Sequence, residues 1–297
     1  MKNKGMTFTI VFLANAANYG EGLGNISTLK KVTREGGNQY SYISRQALRY
    51  NIVEQLKYPL TPVEAIGSGE KKVIQYSPDT TLKDYPELDF FGYMKTTAGA
   101  NAKTRSATVR LSDAISLESF KGDIDFLTNL GLAKRAGAFG NIAQSEIHRS
   151  YYSYTVAVDL DKIGIDEEDK SEISKEEKIE RVKQFLNTIA TLYRDIRGKR
   201  ENLRPLFIIG GIYDIKNPFF ENMIEIKDNK IEVEKLVDSI YDFVEKDTQV
   251  GMIKEQFKND TEIRAKFKTK DIEVTSVSDF FKELKRTIKN SKINLNC

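Results

Sequence analysis

Apolar and polar positions divide the chain into a few strongly patterned stretches separated by longer irregular ones. Residues 6–14, MTFTIVFLA, alternate imperfectly and are rich in β-forming side chains, which predicts a central strand. YYSYTVAVDL at 151–160 and PLFIIGGIY at 205–213 predict two more. A helical period runs from about Ile43 to Leu56, where Pro59 and Pro62 stop it. A second spans 175–197, with Ile179, Val182, Leu186, Ile189, Tyr193 and Ile196 recurring at three- and four-residue spacing as one apolar stripe. Ser174 and Glu177 stand at its start with capping-box spacing, and Arg194, Arg197 and Gly198 suit its C-terminal end.

Residues 60–150 carry glycine and proline throughout and read as one or several insertions mounted on a compact core. Within them ATVRLSDAISL (107–117) predicts the beginning of a strand, and 133–149 an exposed arm or loop. Residues 161–173 are acidic and polar, as in a loop. Beyond 219 the pattern predicts a strand or hairpin in FENMIEIKD, a helix over 233–245 and a last helix over 277–289. Strand, helix, interrupted middle, strand, helix, strand is the order of an α+β chain with a ferredoxin-like or RRM-like core, the middle supplying the second strand. The expected division is 1–217 for this core, with about 60–150 as the insertion, and 218–297 for a mixed C-terminal extension packed on it.

Composition narrows the chemistry. The 297 residues are 40% hydrophobic and 30% charged, the balance of a globular chain. The apolar run from Phe8 to Ala14 is shorter than the ~20 residues a bilayer requires and leads into no cleavage site, so a cytoplasmic protein away from the membrane is expected. The single cysteine, Cys297, and single histidine, His148, exclude an intrachain disulfide, a cysteine metal cage, a histidine-pair metal site and histidine-cluster acid–base chemistry. Ser–His and Cys–His schemes have almost no raw material, and His148 is expected to be structural. Net charge is only +3, but the first 150 residues carry 19 basic against 14 acidic side chains and the remainder 27 against 29. Positive charge thus gathers where a polyanion would be expected to sit.

Several segments offer chemistry. The loop from Asn18 to Asn25 holds Gly20, Gly22 and Gly24 after a strand, but its G-x-G-x-G spacing and the segment that follows fit neither a dinucleotide fingerprint nor a P-loop. It suits a plain turn or close backbone approach to a phosphodiester. On the helix after Tyr42, Arg45 and Arg49 lie one turn apart, flanked by apolar residues, and such enclosed guanidinium groups need an anionic partner. A carboxylate of the chain or a phosphate would serve. Lys103, Arg105 and Arg110 form a second basic run with small hydroxyl residues between, and Lys134, Arg135 and Arg149 a third. Tyr19, Tyr40, Tyr42, Phe139, Tyr151 and Tyr152 lie near these groups as rings on which bases could stack. The carboxylate pairs Asp123/Asp125 and Asp159/Asp161 fall beside predicted loops or strand ends.

The opening strand, then NYGEGLGNISTLKKVTR and YSYISRQALRYNI, then FFGYM (90–94), RSATVRLSDAISL (105–117) and LRPLFIIGGIYD (203–214), resembles the DevR-type branch of the CRISPR Cascade backbone family, type I-B-like. The resemblance spans most of 6–214 and is strongest in the first sixty residues. It implies an RRM-like palm with inserted finger and thumb elements. It implies that several copies stack along a CRISPR guide RNA and hold it uncut for pairing with target DNA, in company with other Cascade subunits. It implies RNA contact at Asn18, Gly20, Gly22, Asn25, Ser44, Arg45, Gln46 and Arg49, and by weaker matches at Lys103, Arg105, Arg110, Gly210 and Gly211. No catalytic residue, metal or cofactor is expected. The contrasting expectations are a metal-dependent ribonuclease of related RRM-like fold, a small-molecule enzyme using the glycine loop, and a transcriptional regulator.

Overall fold

The computed structural model describes residues 4–15, 18–67, 72–96 and 102–290; Cys297 lies outside them. The chain opens with β1 (Gly5–Ala14), β2 (Tyr19–Leu23), β3 (Ile26–Leu29), β4 (Lys31–Thr33), β5 (Gln39–Ile43) and helix α1 (Arg45–Gln55). Its middle adds β6 (Val63–Ile66), β7 (Val73–Tyr76), α2 (Pro86–Phe91), β8 (Tyr93–Lys95), β9 (Lys103–Arg105), β10 (Val109–Leu111), β11 (Ala114–Ser116), β12 (Asp123–Thr128), α3 (Leu130–Ala136) and β13 (Ile142–Ile147). Then come β14 (Ser150–Asp159), β15 (Ile165–Asp166), β16 (Ser171–Glu172), α4 (Lys175–Ala190), β17 (Tyr193–Ile196), β18 (Lys199–Asn202) and β19 (Phe207–Tyr213). The last part holds β20 (Ile226–Lys227), β21 (Lys230–Ile231), α5 (Val233–Asp238), α6 (Asp242–Glu245), β22 (Thr248–Met252), α7 (Asp260–Lys268), β23 (Val274–Thr275) and α8 (Val277–Asn290).

The main sheet runs β23-β22-β19-β1-β14-β11-β5-β4, with β10 also on β14. β1 lies between antiparallel partners, β14 from Gly5↔Asp159 to Ala14↔Ser150 and β19 from Gly5↔Tyr213 to Val11↔Phe207. Alternation along β1 sorts the two layers. Met6, Phe8, Ile10 and Phe12 turn to one face with Tyr152, Tyr154 and Val156, against Leu48 and Ile52 of α1, Val182, Phe185 and Leu186 of α4, and Phe280, Phe281 and Leu284 of α8. Phe8 meets the rings of Phe280 and Phe281 edge-on, each at 6.5 Å. Val11 and Leu13 turn to the second face with Tyr151, Phe207, Ile209 and Tyr213, and side chains from the segment after β19, among them Phe220, Leu236, Phe257 and Phe267, cover them. Each such aromatic or branched side chain stabilises the fold by roughly 1.5–3 kcal/mol on burial. Thr9 and Thr155, on that same face, satisfy each other through a 2.7 Å hydroxyl pair.

Gly210 and Gly211 belong to this interior, correcting the expectation that they contact RNA. A Cβ on Gly210 would lie 2.2 Å from the Thr7 carbonyl oxygen, and one on Gly211 2.0 Å from that of Asp247. Both are buried in a strand paired on either side, by β1 and β22, and their task is close backbone approach.

The insertion is tied to the core by a buried charge cluster. The Asp89 carboxylate accepts from Arg105 at 2.8 Å, from Arg181 of α4 at 3.2 Å and from the Gly164 N–H at 2.8 Å. Arg105 also donates to the carbonyls of Leu88, Asp89, Lys162 and Ile165, so its five N–H groups are spent inside the chain. β6 with β7 and β8 with β9 form two-stranded ribbons on this insertion.

Four local expectations change. The stretch from Asn18 to Asn25 is the first strand and turn of a hairpin, β2–β3, with Gly24 at φ +59° in the turn. Residues 133–149 belong to an ordered arm, β12-α3-β13, paired from Asp123↔Ile147 to Thr128↔Ile142. Residues 161–173 hold a 3-10 turn and the β15–β16 ribbon. The helix predicted to Arg197 ends at Ala190, and Tyr193–Asn202 fold into the β17–β18 hairpin instead. Its two turn residues, Arg197 and Gly198, sit at φ +50° and +75°, the left-handed pair that matches strand twist in a two-residue hairpin. At the start of α4 the Ser174 hydroxyl accepts from the Glu177 N–H at 3.2 Å, but the Glu177 carboxylate turns to Arg181 instead of closing the box.

Candidate nucleic-acid interface

Asn18 is the junction at which the glycine hairpin, helix α1 and the β17–β18 hairpin meet. It is buried, and its carbonyl and both side-chain polar atoms are used. Its carbonyl accepts from the Lys30 N–H at 2.7 Å, its Nδ2 donates to the Ser44 hydroxyl at 3.3 Å, and its Oδ1 accepts from Arg194 at 3.2 Å. Ser44 is the N-cap of α1, its hydroxyl accepting from the Ala47 N–H. The residue types at 18 and 44 therefore fix the angle at which α1 leaves the sheet.

Around that junction the predicted residues separate. Gly20 and Gly22 are exposed on β2, an edge of the four-stranded sheet β12-β13-β3-β2, and Asn25 is exposed in the turn. The edge is thus bare backbone with little side-chain cover. Arg45 and Gln46 are exposed on the first turn of α1, and among the described residues their side chains have no hydrogen-bond or ion-pair partner, which corrects the expectation of an enclosed arginine at 45. Arg49 is the enclosed one. It donates to Tyr76 at 2.5 Å and Glu87 at 3.3 Å, and its guanidinium lies 4.9 Å from the centre of the Phe91 ring. The two arginines do not act as a pair: one faces out, the other is committed to the insertion.

The remaining predicted cations lie elsewhere. Lys103 pairs with Asp169 at 2.8 Å, and that carboxylate raises its ammonium above the ordinary value. Arg110, half of its side chain exposed, pairs with Asp159 at 2.9 Å. Arg105 has no donor left to offer, which corrects its expected RNA contact. His148 is structural, as expected: Ser41 Oγ lies 2.7 Å from its Nδ1 and 2.6 Å from the Tyr152 hydroxyl, all three buried. Three of the four paired carboxylates are engaged as well, Asp159 and Asp161 with Lys216 and Asp125 with Lys199 at 3.7 Å, while Asp123 is exposed. Among the described residues no three His, Cys, Asp or Glu side chains gather as metal ligands.

The β17–β18 hairpin is what sequence reasoning missed. It brings Arg194, Arg197, Lys199 and Arg200 to the Asn18 junction. Arg197 stacks over the Tyr19 ring at 4.1 Å, Lys199 reaches Asp125 of the arm, and Arg200 forms two 2.8 Å bonds to Asp195. Burial pushes the Arg194 guanidinium below its ordinary value, and its Nε has no partner among the described residues. The signal was present in YRDIRGKREN, where Gly198 follows a charged residue between two short alternating runs.

The arm's base is held by Glu146, which accepts from the Leu29 N–H and from Lys31, each at 2.8 Å. Its far end is apolar and open: Leu130, Leu132 and Ile142 are exposed, and Phe139 is 99% exposed. On the other side of α1, Arg34 and Arg45 line a polar cleft of about 450 Å³ floored by Ser153 and Thr155 of the sheet.

Comparison with known proteins places this architecture. Two solved chains share its fold. One, from a "CRISPR RNA-guided surveillance complex, pre-nicking", has a TM-score of 0.59 at 10% identity over 96% of this chain and 100% of its own. Another, from a "CRISPR RNA-guided surveillance complex", has a TM-score of 0.52 at 11% identity over 84% and 90%. No curated protein matches the sequence. The profile of the family described as "CRISPR-associated negative auto-regulator DevR/Csa2" matches residues 6–235, and the chain belongs to that family.

Proposed function

We propose that this chain is a non-catalytic, guide-RNA-binding backbone subunit of a type I CRISPR surveillance complex, working in the cytoplasm. Several copies line the RNA and present it for pairing with target DNA beside other subunits of the complex. The palm of this reading is the RRM-like set β1, α1, β10/β11, β14, α4 and β19, supported by the spatial order β19-β1-β14-β11 with α1 and α4 on one face. The finger is the insertion bearing β6–β9, the thumb is the β12-α3-β13 arm, and the described residues from 218 to 290 are an extension packed on the palm.

The observation that carries the proposal is the convergence at Asn18 of a bare glycine edge, the exposed Arg45 and Gln46, and the arginine-bearing hairpin. Exposed backbone N–H groups and guanidinium forks suit a sugar-phosphate chain and ignore base identity, which a holder of arbitrary spacer sequence requires. The open apolar arm tip suits a neighbouring copy, so that arms interrupt the RNA at intervals and leave the bases between them free to pair. A modest net charge is enough when affinity is shared by many protomers on one strand. The ribonuclease reading has less support, because Asp125, Asp159 and Asp161 are tied to Lys and Arg side chains.

Co-expression with a CRISPR repeat–spacer transcript tests this. Purified protein should carry RNA of guide length intact and in multiple copies per strand. Protein that emerges free of RNA, or cuts it in a manner abolished by one Asp→Ala change, refutes the proposal.

A further inference from the structure

A second basic surface lies away from Asn18, and most of its lining, from Met252 to Lys285, falls beyond the residues that the family profile matches. It is a groove of about 700 Å³ between the end of α4, the start of β19, and the β22, β23 and α8 region. Among the described residues that line it are Arg204, Lys254, Arg264, Lys282 and Lys285, and none that carries a carboxylate. Three of these cations have an acidic neighbour behind the rim: Lys254 with Glu255 at 3.6 Å, Arg264 with Asp260 at 2.6 Å and Lys282 with Asp279 at 2.9 Å. The first of those pairs is about four-fifths exposed and contributes little. Among the described residues the other two groove cations have no acidic partner. Lys285 donates to the neutral Asn187 amide at 2.8 Å, and the Arg204 guanidinium has no hydrogen bond or ion pair among the described residues. Lys285 is half-buried, and burial, then the charges of Lys183 and Lys282, hold its ammonium below the ordinary value.

A crowd of like charges around a concave surface, with no internal counter-ion for two of them, is unfavourable unless an anion completes it. The groove's floor is apolar, with Met252 and Phe281 buried beneath it, and Thr275, Ser276 and Ser278 add hydroxyls to its wall. Its volume suits more than a lone phosphate. It is also not isolated: Arg204 follows by two residues the end of the hairpin that carries Arg194, Arg197, Lys199 and Arg200.

We infer that this groove is a further nucleic-acid site, binding the phosphodiester backbone of a strand beside the Asn18 surface. Its ligand chemistry is that of successive phosphates, supplied either by the end of the same RNA or by a second strand. The inference extends the proposed function but does not share its residues.

The test compares wild type with the triple variant Arg204→Gln, Lys282→Gln, Lys285→Gln, and with Arg204→Gln alone, which touches an exposed side chain and spares the fold. Labelled single-stranded RNA is titrated against free protein, and labelled duplex DNA against RNA-loaded protein, each over a salt series. In the triple variant the slope of log affinity against log salt should flatten by about 2, with affinity falling at least about tenfold at low salt. Arg204→Gln should flatten it by about 1. A change confined to duplex DNA assigns the groove to a second strand, and one confined to RNA assigns it to the guide. Wild-type RNA binding with neither slope altered overturns the groove and leaves the proposed function standing. Wild type that binds no RNA refutes the proposed function, and the groove then stands or falls on the salt slope for duplex DNA titrated against the free protein. A polyglutamate chain that competes as well as nucleic acid of equal charge overturns the groove in favour of an acidic protein partner.

Discussion

Arg45 sends its charge into solvent, while Arg49, one helical turn on, ends against Glu87, Tyr76 and the face of Phe91. Their substitutions should therefore separate. Arg45→Ala is expected to leave the melting temperature unchanged and to flatten the salt dependence of RNA binding by about 1. Arg49→Ala should cost roughly 1 kcal/mol of stability, the worth of a part-exposed ion pair and a ring contact. Titrations and thermal melts of both proteins check this, and a melting temperature lowered by Arg45→Ala would count against it. Asp89 is the more consequential residue for folding. Asp89→Ala leaves the buried Arg105 without its counter-charge and Arg181 with only the part-exposed Glu177, and should cost about 3–5 kcal/mol in denaturant unfolding. His148 supplies a pH signature. Burial, opposed by the charge of Glu118, holds its ring below the ordinary 6.5. The unfolded chain then binds that proton more readily. Stability is full above the ordinary value, declines as pH falls below it, and levels off once the folded ring is itself protonated. Melting curves taken downward from neutral pH should lose this component in His148→Gln, and an identical pH dependence in both proteins would rule it out. Of these fates only the structural role of His148 was legible from the residues alone. Arg105 and Asp89 stand 16 positions apart, and their pairing with α4 is decided by tertiary packing.

The arm and the two hairpins are where the elements departed from their pattern. β1, β14, β19, α1 and α8 were legible because burial on a sheet or against it enforces a period of two or of three to four. The β17–β18 hairpin was not, because Tyr193 and Ile196 fall in step with the stripe of α4 and masked the Arg197–Gly198 turn. The arm was hidden for the opposite reason: β12 is exposed along most of its length and has no buried face to set a period. Since Asp123 and Ile147 are paired neighbours, the arm's ends lie close, and 124–146 can be exchanged for a short glycine linker. The shortened protein should lose the 2.8 Å bonds from Glu146 yet keep its two cores, and so fold with a near-native melting temperature. On the proposed reading it should still bind RNA singly but no longer in a regular array. Electron microscopy of RNA-bound particles distinguishes the outcomes, and ordered arrays without the arm would contradict the role given to it.

For the whole molecule, the arrangement that matters most is the double covering of the main sheet. Three helices close one face, and the segment from Phe220 to Val274 closes much of the other. The β1-α1-β10/β11-β14-α4-β19 frame was legible from element order, whereas the second covering was expected only as a mixed extension packed on the core, because its pieces β22, α7 and β23 are short and carry little periodic signal. RNAs of equal length and unrelated sequence should then bind within about threefold of one another at matched salt. Fluorescence anisotropy with homopolymers measures this, and a strong preference for one base would argue against it.

A sheet of this kind ordinarily offers its free surface as a reading desk on which nucleobases lie flat against tyrosine and phenylalanine. Here Tyr151, Phe207 and Tyr213 occupy that surface and are roofed over by the chain's own tail. On the proposed reading, the letters of a bound message would have no such desk to rest on, and the protein would handle the spine of the text and not its words.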